Sequence, residues 1–180
     1  MKTLIIHPKD KSTDFLIPIY KNIPNKFIVR GFLSQKEIHN IIINYDRIIM
    51  LGHGSPMGLM SVGQFKDSPF IINRNSVPFL KDKECIFIWC NSDKFVEKYD
   101  LKGFYSGMFI SEVGESKYCG LRGVTQDIVD ESNKGFSKIM GSHINETLKG
   151  IYENVLRKYE TLTDTNEVSK YNYERLYLNI

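Results

Sequence analysis

The chain reads as an α/β protein, a three-layer α-β-α sandwich around a mostly parallel sheet. Two short apolar runs are bounded by turn residues, Arg47-Ile48-Ile49-Met50-Leu51 before Gly52-His53-Gly54-Ser55 and Cys85-Ile86-Phe87-Ile88-Trp89 before Cys90-Asn91-Ser92-Asp93. Runs of this kind suit central strands covered on both faces, because a strand with one wet face would alternate polar and apolar residues. The third observation is a helix signature between strands. Ser34 and Glu37 have capping-box spacing, and Ile38, Ile41, Ile42 and Tyr45 follow at helical intervals.

The remaining elements follow in order. Lys2–His7 is a first strand. In the next segment Thr13 and Asp14 are candidate caps of a short helix, with Pro18 limiting where it begins. Phe27–Phe32 is a second strand, the Ser34 helix comes next, and the run ending at His53 is the third strand. Residues 55–83 form a long excursion, with a short strand at Phe70-Ile71-Ile72 and a small helix at Val77–Leu80 that Pro78 suits in its first turn. After the Cys85–Trp89 strand, Ser92 or Asp93 caps a helix through Tyr99, ended by Gly103. Gly107-Met108-Phe109-Ile110 resumes the sheet. Residues Thr125–Tyr159 are mostly helical, Ser142 capping a last part with Ile144, Leu148, Ile151, Val155 and Tyr159 on one face. Thr163–Asn166 marks a loop, and Tyr171–Ile180 supplies an edge strand. No repeat, low-complexity segment or second domain interrupts this order.

Composition narrows the function. With 180 residues, 42% of them hydrophobic, the chain can bury one complete core. Lys and Arg exceed Asp and Glu by only three, 24 against 21, with no basic run, which argues against nucleic acid as a partner. No apolar stretch approaches a membrane span or a signal peptide, so a cytoplasmic protein without a membrane partner is expected. Cys85, Cys90 and Cys119 lack C-x-x-C pairing; free thiols in a reducing compartment are the plain reading.

The chemistry-bearing pair is His53 and Cys90. In open α/β sheets reactive groups collect at the carboxyl ends of strands near a topological switch point. A thiol and an imidazole delivered there share one cleft, as cysteine-nucleophile chemistry requires. Cys90 also precedes a helix start, where a thiolate is favoured. Cys85 and Cys119 read as ordinary small apolar residues. His7 reads as surface or structural, His39 lies on the polar side of its helix, and His143 at a helix start.

Hydrophobic strand, His-Gly, excursion, hydrophobic strand and Cys, in that order, resembles the caspase-like cysteine peptidases: caspases, metacaspases, legumain, gingipains, clostripain and separase. The matching pieces are Ile48–Gly54 and Ile86–Cys90, and the resemblance covers element order over residues 1–120. Ile110–Tyr118 is similar to the strand-and-turn that borders the substrate pocket in legumain-like members. Ile88 stands where metacaspases and clostripain carry an acidic residue, and Ile88-Trp89-Cys90 replaces the Gln-Ala-Cys of caspases, so no member's specificity carries over.

The resemblance implies a caspase-like domain over 1–162, with 163–180 an extension packed on it. It implies a cysteine endopeptidase acting on a protein or peptide substrate. Cys90 is the expected nucleophile and His53 its acid and base, with the backbone N–H groups of Gly54 and Cys90 as oxyanion donors. Ser111, Glu112, Glu115 and Ser116 are the expected substrate-binding residues, one glutamate facing a basic side chain. No metal or organic cofactor is implied. The competing class is a non-cleaving caspase-fold adaptor or regulatory module. A nucleotide-binding domain using the Gly52–Gly58 turn ranks below both, since no glycine fingerprint leads directly into a helix there.

Overall fold

The computed structural model describes residues 1–66 and 68–180, so the expected excursion 55–83 is described except at residue 67. A six-stranded sheet is built from β1 (Thr3–Ile6), β2 (Lys26–Val29), β3 (Arg47–Leu51), β7 (Glu84–Ile88), β8 (Gly103–Ser106) and β9 (Leu176–Asn179). Their spatial order is β2-β1-β3-β7-β8-β9. The first five are parallel, and β9 runs antiparallel to β8. Between β3 and β7 the chain makes a small antiparallel sheet of β4 (Gly54–Ser55), β5 (Gly58–Met60) and β6 (Phe70–Ile72).

Alternation along each strand sends side chains to opposite layers. Leu4, Ile6, Ile48, Met50, Cys85, Phe87 and Trp89 form one buried face, packed by α2 (Gln35–Ile42), α3 (Val77–Leu80) and α4 (Ser92–Tyr99). Ile5, Ile49, Leu51, Ile86, Ile88 and Phe104 form the other, packed by α1 (Ile17–Tyr20), α6 (Gln126–His143) and α7 (Leu148–Tyr159). Two covered faces explain why the central strands read as unbroken apolar runs. The fold is therefore the expected three-layer α/β sandwich. Among the described residues no helix is long and apolar enough to cross a membrane.

Several local readings hold. The Ser34–Glu37 capping box is formed in both directions, Pro78 lies in the first turn of α3, and the terminal segment supplies an edge strand. Others shift for physical reasons. The turn after β1 is capped by Asp10, whose carboxylate accepts from the Ser12 N–H, rather than by Thr13 or Asp14. The helix after Cys90 begins from Asn91 in a left-handed conformation (φ 63°), with no side-chain cap. Ser142 lies inside α6, and Thr147 caps α7.

The sheet resumes at Gly103–Ser106, not at Gly107–Ile110. The latter segment leaves the sheet because its backbone groups are taken elsewhere, those of Gly107 by the Arg175 carbonyl and the Asn91 N–H. Asn172, on α8 (Glu167–Tyr173), donates to the Ile110 carbonyl at 2.9 Å and accepts from its N–H at 2.7 Å. Residues 163–180 thus contribute both α8, which pins this segment, and β9.

At the amino ends of the strands, buried Arg47 bonds Glu84 of the neighbouring strand at 2.6 Å and the Ile144 and Glu146 carbonyls at 2.6 and 2.7 Å. At the carboxyl ends Trp89 does the joining. Its indole covers Gly54, and its Nε1 donates to the Ser55 carbonyl at 3.2 Å. A Cβ on Gly54 would lie 2.1 Å from the Trp89 ring and 2.8 Å from the Gly58 carbonyl.

Gly54→Ala is therefore expected to destabilise the fold by about 1–3 kcal/mol, the usual scale of forced overpacking. Urea titration of the two proteins reads this as a lower midpoint with an unchanged slope; an unchanged midpoint would show that Trp89 does not press on this turn.

Candidate active site

The parallel pairing of β3 with β7 sets Leu51 beside Ile88. His53 and Cys90 each lie two residues beyond that pair, so the period of two sends both toward the layer of Leu51 and Ile88. A bond from the Gly52 N–H to the Ile88 carbonyl (3.1 Å) holds the two strand ends together. Gly52 itself turns the chain at φ 138°, a conformation that a side chain would oppose. This edge is also the switch point, because β1 leads outward to β2 on one side while β3 leads to β7 and β8 on the other.

His53 and Cys90 line one small cavity of about 20 Å³ with Thr13, Phe15, Leu16, Gly52, Ile88, Trp89, Phe109 and Ser111. That volume is roughly the room of one water molecule. The two side chains hydrogen-bond to other partners rather than to each other. His53 Nε2 lies 2.7 Å from Ser12 Oγ, which donates to Asp10 Oδ1 at 2.8 Å; Asp10 Oδ2 is 3.8 Å from the same ring nitrogen. Bonds from the Ser12 N–H and hydroxyl hold the Asp10 carboxyl below its usual pKa, so the carboxylate accepts the one Ser12 proton. With that proton committed, Ser12 Oγ accepts the His53 Nε2–H, a bond that selects the tautomer with its lone pair on Nδ1.

Cys90 is half-buried in the turn between β7 and α4. That turn is knitted to β8: Asn91 N–H donates to the Gly107 carbonyl (3.0 Å), Ser92 Oγ to the Ser106 carbonyl (2.6 Å), and Ser106 Oγ to the Trp89 carbonyl (3.0 Å). The Cys90 thiol donates to the Phe109 carbonyl at 3.3 Å and faces Glu115 Oε1 at 3.7 Å. Burial, followed by the Glu115 carboxylate, pushes its pKa up to about 12. The helix start expected to lower it is outweighed. In this state Cys90 is a thiol.

The expected substrate turn has a different form. Ser111–Tyr118 is not strand-and-turn, because Val113–Tyr118 is helix α5, closed by reciprocal capping between Glu112 and Glu115. Glu115 Oε2 accepts from the Ser111 and Glu112 N–H groups at 2.7 and 3.0 Å, so this carboxylate is turned inward. Ser116 is fully buried with its hydroxyl on the Val113 carbonyl (2.7 Å), away from any opening.

Ser111 and Glu112 line an open depression of about 650 Å³ between this segment and α6. Lys11, Asp130, Asn133 and Lys134 also line it, and Phe15 and Ser111 belong to both the depression and the small cavity. The Asn133 amide donates to the Ser111 carbonyl at 2.9 Å, fixing that wall. Gly54 starts β4 under Trp89, one residue past His53, and the Cys90 backbone lies in the turn before α4.

Asp10, Ser12, Asn133 and the inward direction of Glu115 escaped the sequence reading. Asp10 and Ser12 carried only the signature of a local turn cap, and Ser12 and His53 are 41 residues apart. No group of three or more His, Cys, Asp or Glu side chains among the described residues could hold a metal ion. The chain matches no protein-family model, no curated protein and no solved structure.

The turn that roofs the cavity rests on His7, which is fully buried at the end of β1. Its ring lies 3.0 Å from the Tyr20 hydroxyl and 3.1 Å from Thr13 Oγ1. Burial, with the Arg30 charge second, lowers its pKa from 6.5 to about 4. Stability is thus full above pH 6.5 and falls as the pH drops toward 4, because the unfolded chain takes up the proton first. The loss approaches about 3 kcal/mol. Urea midpoints measured between these values are expected to fall in wild type and to fall less in His7→Asn; equal slopes in both would remove His7 as the cause.

Proposed function

We propose that this protein is a caspase-like cysteine endopeptidase whose catalytic dyad is Cys90 and His53. The observation that carries the proposal is their placement: each is two residues past an in-register pair on adjacent parallel strands, at the switch edge, lining one cavity. In the proposed reaction the Cys90 S–H proton passes to His53 Nδ1 and the sulfur attacks a peptide carbonyl. The tetrahedral oxyanion is taken by the backbone N–H groups of Gly54 and Cys90. His53 returns the proton to the leaving amine, and water then hydrolyses the thioester with His53 as base. Asp10 and Ser12 hold the ring in the tautomer that this sequence needs. The open depression beside Ser111 is suited to an extended peptide, since it joins an apolar wall at Phe15 and Val113 to charged and amide groups.

A second reading has a specific observation in its favour. A thiol held at about 12, over a cavity that admits little more than a water, is also what a non-cleaving regulatory module of the same architecture would show. A peptide library separates the two. Cleavage by wild type that is abolished in Cys90→Ala and reduced at least about a hundredfold in His53→Gln is the expected result. Both variants should keep the wild-type circular dichroism spectrum. Full turnover by Cys90→Ala would overturn the assignment, and a library left uncut would favour the binding module. Activity is further expected to survive EDTA and to be lost on thiol alkylation; metal-restorable loss would contradict a thiol mechanism.

A further inference from the structure

We propose that Glu115 controls the nucleophile: its carboxylate keeps Cys90 protonated, and a cationic group of the substrate releases the thiol by pairing with that carboxylate. The proposal rests on the reading of Cys90 as a nucleophile. Its basis is that the glutamate expected to bind substrate instead faces the sulfur. Glu115 Oε2 is occupied by the Ser111 and Glu112 N–H groups and by the Ser111 hydroxyl (3.1 Å), so Oε1 is the oxygen left to the thiol, at 3.7 Å. An acceptor-only carboxylate there favours S–H and opposes S⁻.

Few other charges offset it. Within the cavity lining His53 is the one titratable group besides Cys90 itself. The Cys119 thiol at the end of α5 opposes thiolate formation as well, and burial adds to the same direction. Around the cavity, Asp10 is committed to Ser12, while Lys11 and Glu112 line the neighbouring depression. A guanidinium or ammonium group entering past Ser111 meets the carboxylate as a charge-assisted partner. With Glu115 so paired, the S–H bond breaks, the proton forms N–H on His53, and the thiolate no longer confronts an uncompensated carboxylate. A neutral side chain leaves the lock in place. Substrate choice and nucleophile formation thus pass through one residue.

The test reads the thiol itself, not turnover. Alkylation of Cys90 by iodoacetamide is followed by peptide mass spectrometry near neutral pH, in wild type and Glu115→Gln, with butylguanidinium or neutral butylurea as probe. Glutamine preserves the capping geometry at this helix position. Glu115→Gln is expected to label at least about tenfold faster, since each unit of thiol pKa is tenfold in thiolate. Butylguanidinium is expected to speed wild type several-fold and Glu115→Gln not at all, and butylurea to speed neither. Labelling of Glu115→Gln within twofold of wild type, or equal cation effects in both proteins, overturns the proposal. Where fully buried Cys85 also labels in the variant, the chain has opened, and the wild-type response to butylguanidinium against butylurea decides alone. A Glu115-dependent response in a protein that cuts no peptide would remove the peptidase reading and leave this control intact.

Discussion

The contact of Trp89 with Gly54 and Ser55 is the constraint on which the site depends. Parallel pairing aligns β3 with β7 only as far as Leu51 and Ile88, and the chain then turns away into a separate small sheet. Without a tie beyond that point, His53 would follow its loop and Cys90 its helix. The indole supplies the tie from the opposite face, packed against a residue that has no side chain and bonding the next carbonyl. Period two then does the rest. Trp89 points into the layer of α2 and α4, so Cys90 points into the other, where the His53 ring also lies. One residue fastens the two loops without occupying the cavity they share.

Burial has opposite consequences for the groups it encloses. For His7 it removes charge, and a neutral imidazole between Tyr20 and Thr13 anchors the turn above the cavity at physiological pH. For Cys90 it favours the thiol and is reinforced by Glu115. Thiolate chemistry needs proton loss, so the packing that positions the sulfur also opposes such chemistry. Burial by the strands and their covering layers is common to both properties, whereas the part of the protonation that Glu115 adds comes from the helix after β8. Only that second part can change while the strands stay as they are.

Much of the fold was legible because its strongest signals are local. Buried strands announce themselves as apolar runs between turn residues, and Ser34 with Glu37 marks a helix start within four positions. The meeting of His53 and Cys90 at one cavity was legible for the same reason, since a strand end is visible in sequence and parallel neighbours end on one edge. What failed depends on a distant partner or on an atypical local one. Gly107–Ile110 has strand composition, but Asn172 claims the Ile110 backbone from 62 residues away. Val113–Tyr118 became a helix through an acidic capping pair, Glu112 with Glu115, which lacks the Ser or Thr that usually marks one. Once that helix forms, Glu115 faces the sulfur, where Glu112 or Glu115 was expected to face a basic side chain of the substrate.

The distribution of ties also indicates which parts can change without dismantling the sheet. The strand ends carrying His53 and Cys90 are held by backbone bonds, by Trp89 and, at the far edge, by buried Arg47. The covering elements are held differently. The Lys11–Leu16 turn reaches the site through Ser12 and Thr13 and is anchored by buried Leu16, while the Ser111 wall is held through the amides of Asn133 and Asn172 and by buried Phe109 and Ile110. A net side-chain hydrogen bond contributes only about 0.5–1.5 kcal/mol, far less than a buried parallel strand pair with its packing. Widening the 20 Å³ cavity is therefore less costly at these two covers than at the strand ends, with His53 and Cys90 left in place. Movement of the Ser111 wall would carry Glu115 with it, because Glu115 caps that wall from its own helix. Access gained at the Lys11–Leu16 turn, by contrast, leaves Glu115 beside the sulfur, where a cation must still pair with it.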